Sequence, residues 1–270
     1  MDLLRLAKPT GILTLTATTT ATPQTVTIQQ LTHRVPTVVD WGDGSRDTVA
    51  ANYTGTHTHA YAVPGTYNIT VHRAQHITAL DIRVPQIGGL NTAQLRACRD
   101  MHTFYLSFLT ATDIVVNSAD MTGWGLSYRL FLANCPNVNG TLNSADMTGW
   151  GLSAQFLLLN CPNVVYVCGA PGDMVWTGIR NFSANNVSAT LATVENTIAG
   201  FHSLKPTMTR ATGTQTLNLG GASNATSGGT YQDICPPTSA LEQVYDLING
   251  NCTPAGPEFG SVVWNGGSAP

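Results

Sequence analysis

Charged side chains are scarce in this 270-residue chain: Asp, Glu, Lys and Arg make up 10% of it, against about 25% in an average soluble domain. Lysine occurs only at Lys8 and Lys205, and the net charge is −3. No basic patch able to follow a phosphate backbone can be assembled, which argues against nucleic acid as a partner. No apolar run reaches the roughly 18 residues of a membrane span. The first residues, MDLLRLAKPTG, lack an apolar core followed by a small-residue cleavage site, so no secretory signal is expected. Also missing are a Gly-rich phosphate loop, a G-x-S-x-G elbow and an H-E-x-x-H helix. The cysteines form no C-x-x-C pair. The expectation is a non-enzymatic protein with no cofactor and no metal.

What the chain does have is a repeat. NSADMTGWGLS stands at Asn117–Ser127 and again, letter for letter, at Asn143–Ser153. The 26-residue step extends outward and also separates Cys135 from Cys161. One step earlier lie Met101, Phe104, Leu106 and Leu109; one step later lie Ile179, Phe182, Ala184 and Val187. Ile77, Leu80 and Ile82 come first, after a shorter, 24-residue step. In each rung the two apolar residues spaced by two mark a short strand with both side chains on one face. Short fixed periods of this kind belong to stacked units that share one core.

Leu130-x-Leu132-x-x-Cys135-x-x-Val138 and Phe156-x-Leu158-x-x-Cys161-x-x-Val164 resemble the leucine-rich repeat in its Cys-containing variant. Ser127 and Ser153 depart from it, standing where the first Leu belongs. The resemblance runs over 75–270 and implies an α/β solenoid with parallel strands lining a concave face. Ser118 would cap a turn or short helix on the other face, and Asp120 and Asp146 read as helix-start acids. An inserted helix is expected at about 189–204, from Leu191, Val194, Ile198 and Phe201. A C-terminal cap is expected over about 216–270, with a rung at Leu217 and Leu219, a helix over Pro236–Asn249 that stops at Gly250, and a last strand at Ser261–Trp264.

Residues 1–74 lack the period and alternate as Thr- and Val-rich strands. Val39-Asp-Trp-Gly-Asp-Gly-Ser45 followed by His57-Thr-His-Ala-Tyr61-Ala-Val-Pro-Gly-Thr-Tyr67 resembles the polycystic-kidney-disease (PKD) domain, an immunoglobulin-like β-sandwich that serves as a spacer or binding module. The expected fold is therefore mainly β: an immunoglobulin-like sandwich, then a leucine-rich-repeat-like solenoid with a helical cap. His57, His59 and Asp43 are the best catalytic constellation available, with a metal pair geometrically possible on alternate strand positions, and they read as parts of the sandwich corner instead. Cys135 and Cys161 read as stacked core thiols, Cys98 and Cys168 as buried thiols, and Cys235 and Cys252 either pair across the last helix or stay reduced. Trp124, Trp150 and Trp176 read as indoles packed in Gly-bounded turns, with a carbohydrate platform as the alternative.

The candidate interaction surface lies between the inward residues. Tyr105, Phe131 and Leu157 occupy the middle of successive strands, with Leu159 and Arg129 beside them. An apolar stripe on a face that would otherwise be wetted marks a contact surface. It is covered by a partner subunit, by another part of this chain, or by a glycan. Chains with this combination resemble bacteriophage and prophage structural proteins. That resemblance implies an exposed virion subunit (capsid decoration, tail or fibre) acting by self-association or on other virion proteins. The alternative is a cell-surface or fibre-tip adhesin; a hydrolase accessory domain is a third, weaker reading.

Overall fold

The computed structural model describes residues 11–125, 129–150, 155–207, 215–221, 229–249, 252, 259–264 and 267–269. The protein is mainly β, and the two α-helices among the described residues lie in the C-terminal part. Ser127 and Ser153, which stand at the repeat's first-Leu position, and the helix stop at Gly250 lie outside the described residues.

Seven strands come first: β1 (Ile12–Thr19), β2 (Gln24–Ile28), β3 (Gln30–His33), β4 (Thr37–Asp40), β5 (Arg46–Val49), β6 (His57–Tyr61) and β7 (Gly65–His72). In β1, Leu13, Leu15 and Ala17 are fully buried while Ile12, Thr14, Thr16 and Thr18 face out, the alternation of a half-buried strand. β1 pairs antiparallel with β7 along its whole length, and β4 joins β7 on the other side. β2 and β6 form a separate antiparallel pair. Tyr61, wholly buried, donates its hydroxyl to the Trp41 carbonyl at 2.8 Å and fastens the turn between β4 and β5.

The second part is built on β8 (Ile77–Ile82), followed by β9 (Ile87–Gly88), β10 (Thr103–Ser107), β11 (Arg129–Ala133), β12 (Gly140–Asn143), β13 (Gln155–Leu159), β14 (Val164–Val167), β15 (Asn181–Asn185) and β16 (Gln215–Leu219). β17 (Phe259–Trp264) and β18 (Gly267–Ala269) close the chain. β8, β10, β11, β13, β15, β16 and β17 lie parallel in one sheet. The pairing follows the repeat: Leu80, Phe104, Leu130, Phe156, Phe182, Leu217 and Val262 are successive partners in register. All seven have no measurable exposure, so they form one continuous apolar column. Each end of the sheet is finished by an antiparallel strand, β3 beside β8 and β18 beside β17.

The identical NSADMTGWGLS copies form short 3-10 turns at Ser118–Asp120 and Ser144–Met147. The cap is not the serine. Asn117 and Asn143 hold the N-cap positions, and the Asn143 side chain accepts from the Ala145 amide. The hydroxyls instead bridge successive units. Thr92 donates to Asp120 at 2.9 Å, Ser118 to Asp146 at 2.6 Å and Ser144 to Asp173 at 3.4 Å. A three- or four-residue turn has little dipole for an acid to answer; these carboxylates are held by the previous unit's hydroxyl. Trp124 and Trp150 are buried, with indole N–H groups donating to the Leu95 and Met121 carbonyls.

Helix α1 (Leu191–Leu204) is capped by Thr190, whose side chain accepts from the Thr193 amide, and buries Val194, Ile198 and Phe201 of the expected face; Leu191, in its first turn, is exposed instead. Helix α2 (Ala240–Asn249) begins four residues later than the sequence suggests, because Pro236, Pro237, Thr238 and Ser239 precede its first turn. The Glu242 side chain reaches back to the Thr238 and Ser239 amides. A buried ionic joint sits on the two helices and the turn that follows α1. Lys205 is buried, and its ammonium lies 2.9 Å from Asp246, which also takes His202 at 2.8 Å and the Cys252 amide. Burial works against the Asp246 charge, but Lys205, the Cys252 amide and His202 together hold its carboxyl below the ordinary range. Cys235 and Cys252 are joined in a disulfide, while Cys98, Cys135, Cys161 and Cys168 are buried free thiols.

Two pairings cross the 74/75 boundary. β3, from the first part, is the edge strand of the nine-stranded sheet. β9, from the second, joins the five-stranded sheet beside β1.

Candidate interaction surface

In a parallel in-register sheet, equivalent residues of successive strands stand side by side. On the face turned away from the apolar column, one row runs Gln30, Asp81, Tyr105, Phe131, Leu157, Ser183, Asn218, Val263. Tyr105, Phe131 and Leu157 are brought together as neighbours at its centre and are half-buried. Leu159 lies one pleat along, beside Ala133 and Asn185, and Arg129 one pleat the other way, between Thr103 and Gln155.

The two rings stack face to face, with centroids 4.0 Å apart and planes 5° from parallel. Tyr105's other face carries a cation. The Arg83 guanidinium sits 4.1 Å from its centroid, whereas Arg129 is 6.0 Å away. Arg83 is held in place by a two-pronged contact to Asp81, at 2.8 and 2.6 Å, an arrangement that fixes guanidinium orientation. Both faces of Tyr105 are therefore in use. Its edge, and the edges of the row beside it, are what the sheet presents outward.

Arg83 is a member of this surface that the repeat pattern alone does not show. Arg83 lies two residues beyond Asp81, and that spacing is the available signal. Phe108 follows β10 and is 56% exposed. It adopts φ 58°, and the equivalent positions one, two and three rungs on are Asn134, Asn160 and Asn186, at φ 53–54°. Those asparagines make an amide ladder, with Asn160 donating to Asn134 at 3.0 Å and Asn186 to Asn160 at 3.3 Å. Asn tolerates the left-handed region and a bulky aromatic does not. The 26-residue alignment places Phe108 against those asparagines, which is the signal for it.

His59 and Asp43 do meet, at 2.7 Å, with the Ser45 hydroxyl on the other Asp43 oxygen at 2.6 Å and Trp41 stacked on the imidazole. The Ser45 hydroxyl, with the Ser45 amide and His59, brings the Asp43 carboxyl down to about 2. This arrangement braces the turn. His57 does not join it. Among the described residues there is no group of three or more His, Cys, Asp or Glu placed to hold a metal, and no helix is long and apolar enough to cross a membrane. No family model, curated protein or solved structure matches the chain.

Proposed function

We propose that this chain is a structural and interaction protein, an exposed subunit of a bacteriophage particle that docks through the Tyr105–Phe131–Leu157 row. The N-terminal sheets are read as a PKD-like, immunoglobulin-like sandwich, and the parallel stack as a leucine-rich-repeat-like solenoid, with residues 75–270 as the repeat domain. The observation that carries the docking reading is the stacked pair Tyr105 and Phe131, in register with Leu157, at positions where a wetted sheet would carry polar side chains. Aromatic side chains fixed by their neighbours lose little freedom when a partner covers them, which suits them to the centre of an interface. The low charge of the chain and the Cys235–Cys252 disulfide support a working life outside the cytoplasm.

The ring geometry weighs against the glycan alternative on these residues. A sugar stacks on an open aromatic face, and Tyr105 has Phe131 on one face and Arg83 on the other. A protein partner can pack on ring edges. The test is the mass of the native species by light scattering, for wild type and Phe131→Asp side by side. The expected result is an oligomeric wild type and a folded Phe131→Asp monomer of 28.6 kDa, since a charge at the centre of an apolar contact weakens association by tenfold or more, about 1.4 kcal/mol per factor of ten. A monomeric wild type that binds no protein from the particle overturns the reading.

A further inference from the structure

The strand that ties the first part of the chain to the nine-stranded sheet is only four residues long, and its last residue is a histidine. His33 ends β3, at a bulge in the pairing with β8: Thr32 faces Ala79, but His33 faces Ile77. Its ring has no exposure, and neither nitrogen has a hydrogen-bond partner. Two more imidazoles bear on it, His57 from β6 and His76 from the 3-10 turn before β8. The His57 ring is itself nearly buried, with Nε2 unpartnered. The other charged and titratable groups along the seam are Asp81 of β8, opposite Gln30 and paired with Arg83, the buried Cys98 thiol beside Ala74, Asp47 of β5, which acts on His57, the Arg34–Asp100 ion pair at 3.1 Å, and His102, close to Arg34. Among the described residues no carboxylate accepts a hydrogen bond from His33 or His57. A proton placed on His33 therefore creates a buried charge with nothing to receive its N–H groups, a costly state.

We propose that this seam is an acid-sensitive latch, in which protonation of His33 detaches β3 from β8 and uncovers the first edge of the nine-stranded sheet. The uncovered edge is a row of free backbone donors and acceptors, which is a template for another strand. Release is local to β3, because β9 still pairs with β1 and holds the five-stranded sheet to the second part.

The direction follows from proton linkage. Burial first, then His57 and His76, lower the His33 value from 6.5 to about 4. The open seam binds a proton that the closed seam refuses, so closure is at full strength above 6.5 and is lost as pH falls from 6.5 toward 4. One such group changes the opening constant by up to about tenfold per pH unit, roughly 300-fold over that window.

The experiment is amide hydrogen exchange on the full chain between about pH 7.5 and 4.5, corrected for the intrinsic pH dependence of exchange. Leu31–His33 report the seam and Phe156–Leu158 the interior of the sheet. The expected result is seam protection that falls with pH while the interior holds, and a flat seam profile in His33→Phe. A flat wild-type profile, or an unchanged slope in His33→Phe, overturns the proposal. His33→Gln repeats the comparison if the Phe variant does not fold. Imidazole NMR of the wild type needs no variant: a His33 ring that titrates near its ordinary value of 6.5 with the seam still protected also overturns it.

Discussion

Phe108→Asn should make the protein more stable although it removes an aromatic side chain. Phe108 sits at φ 58° at the position where the following rungs use Asn134, Asn160 and Asn186. Holding an ordinary L-residue in the left-handed region costs about 1–2 kcal/mol, and Asn carries much less of that cost. An Asn side chain there also stands one rung before Asn134, in place to extend the ladder that joins Asn160 to Asn134, worth about 0.5–1 kcal/mol for a neutral hydrogen bond. Against these stands the apolar contact that Phe108 makes. It is 56% exposed, so a little under half of a full Phe burial is lost, about 1 kcal/mol. The balance is a gain of about 1 kcal/mol, a rise in Tm of roughly 2–4 °C for a chain of this size. Thermal unfolding by calorimetry, wild type against Phe108→Asn and Phe108→Gly, reads it directly. Gly relieves the backbone but supplies no amide, so it should gain less than Asn. A lower Tm for Phe108→Asn would refute the reasoning, because the ring would then be contributing more than its conformation costs.

Two further substitutions test the C-terminal part. Lys205→Met leaves the Asp246 carboxylate buried without its principal cation and should cost about 3 kcal/mol, visible as a lower urea midpoint at neutral pH. Because the folded Asp246 value is depressed, its contribution is complete above the ordinary carboxylate range and is lost as pH falls below about 4; the wild type and Lys205→Met should therefore converge in acid. Reduction of Cys235–Cys252, or Cys252→Ser, opens a loop of sequence separation 17 and should cost about 3 kcal/mol by the loop-entropy relation. Exchange of the α2 amides before and after reduction measures it, and unchanged protection would place the fastening of α2 elsewhere.

The repeated part is legible in the sequence because a period is local information seen many times. The 26-residue step alone aligns Leu130 and Leu132 with Phe156 and Leu158, and the strands pair in that register. Helix α1 is legible for the same reason, its apolar residues recurring at helical spacing. The seams are not. Gln30–His33 pairs with Ile77–Ile82 across a long stretch of chain, and nothing in so short a segment names so distant a partner. The turn roles of Ser118 and Asp146 are hidden for a related reason: within one copy they look like a cap and a dipole acid, and their contact exists only between copies. At the candidate surface, Tyr105, Phe131 and Leu157 follow from the period, whereas Arg83 lies outside it and is placed by an ion pair with Asp81, two residues earlier.

That contact between copies bears on how such a chain grows. Each SADM turn carries a hydroxyl for the unit ahead and a carboxylate for the unit behind, as Ser118 meets Asp146 and Ser144 meets Asp173. A copied segment thus arrives with both halves of its joint already made. In-frame duplication of one 26-residue unit would lengthen the sheet by one strand without requiring any change in its neighbours, and deletion of a copy would rejoin the ends. The span between the two antiparallel end strands is then a quantity that can shift by whole units in a single genetic event, while the parts at either end stay as they are.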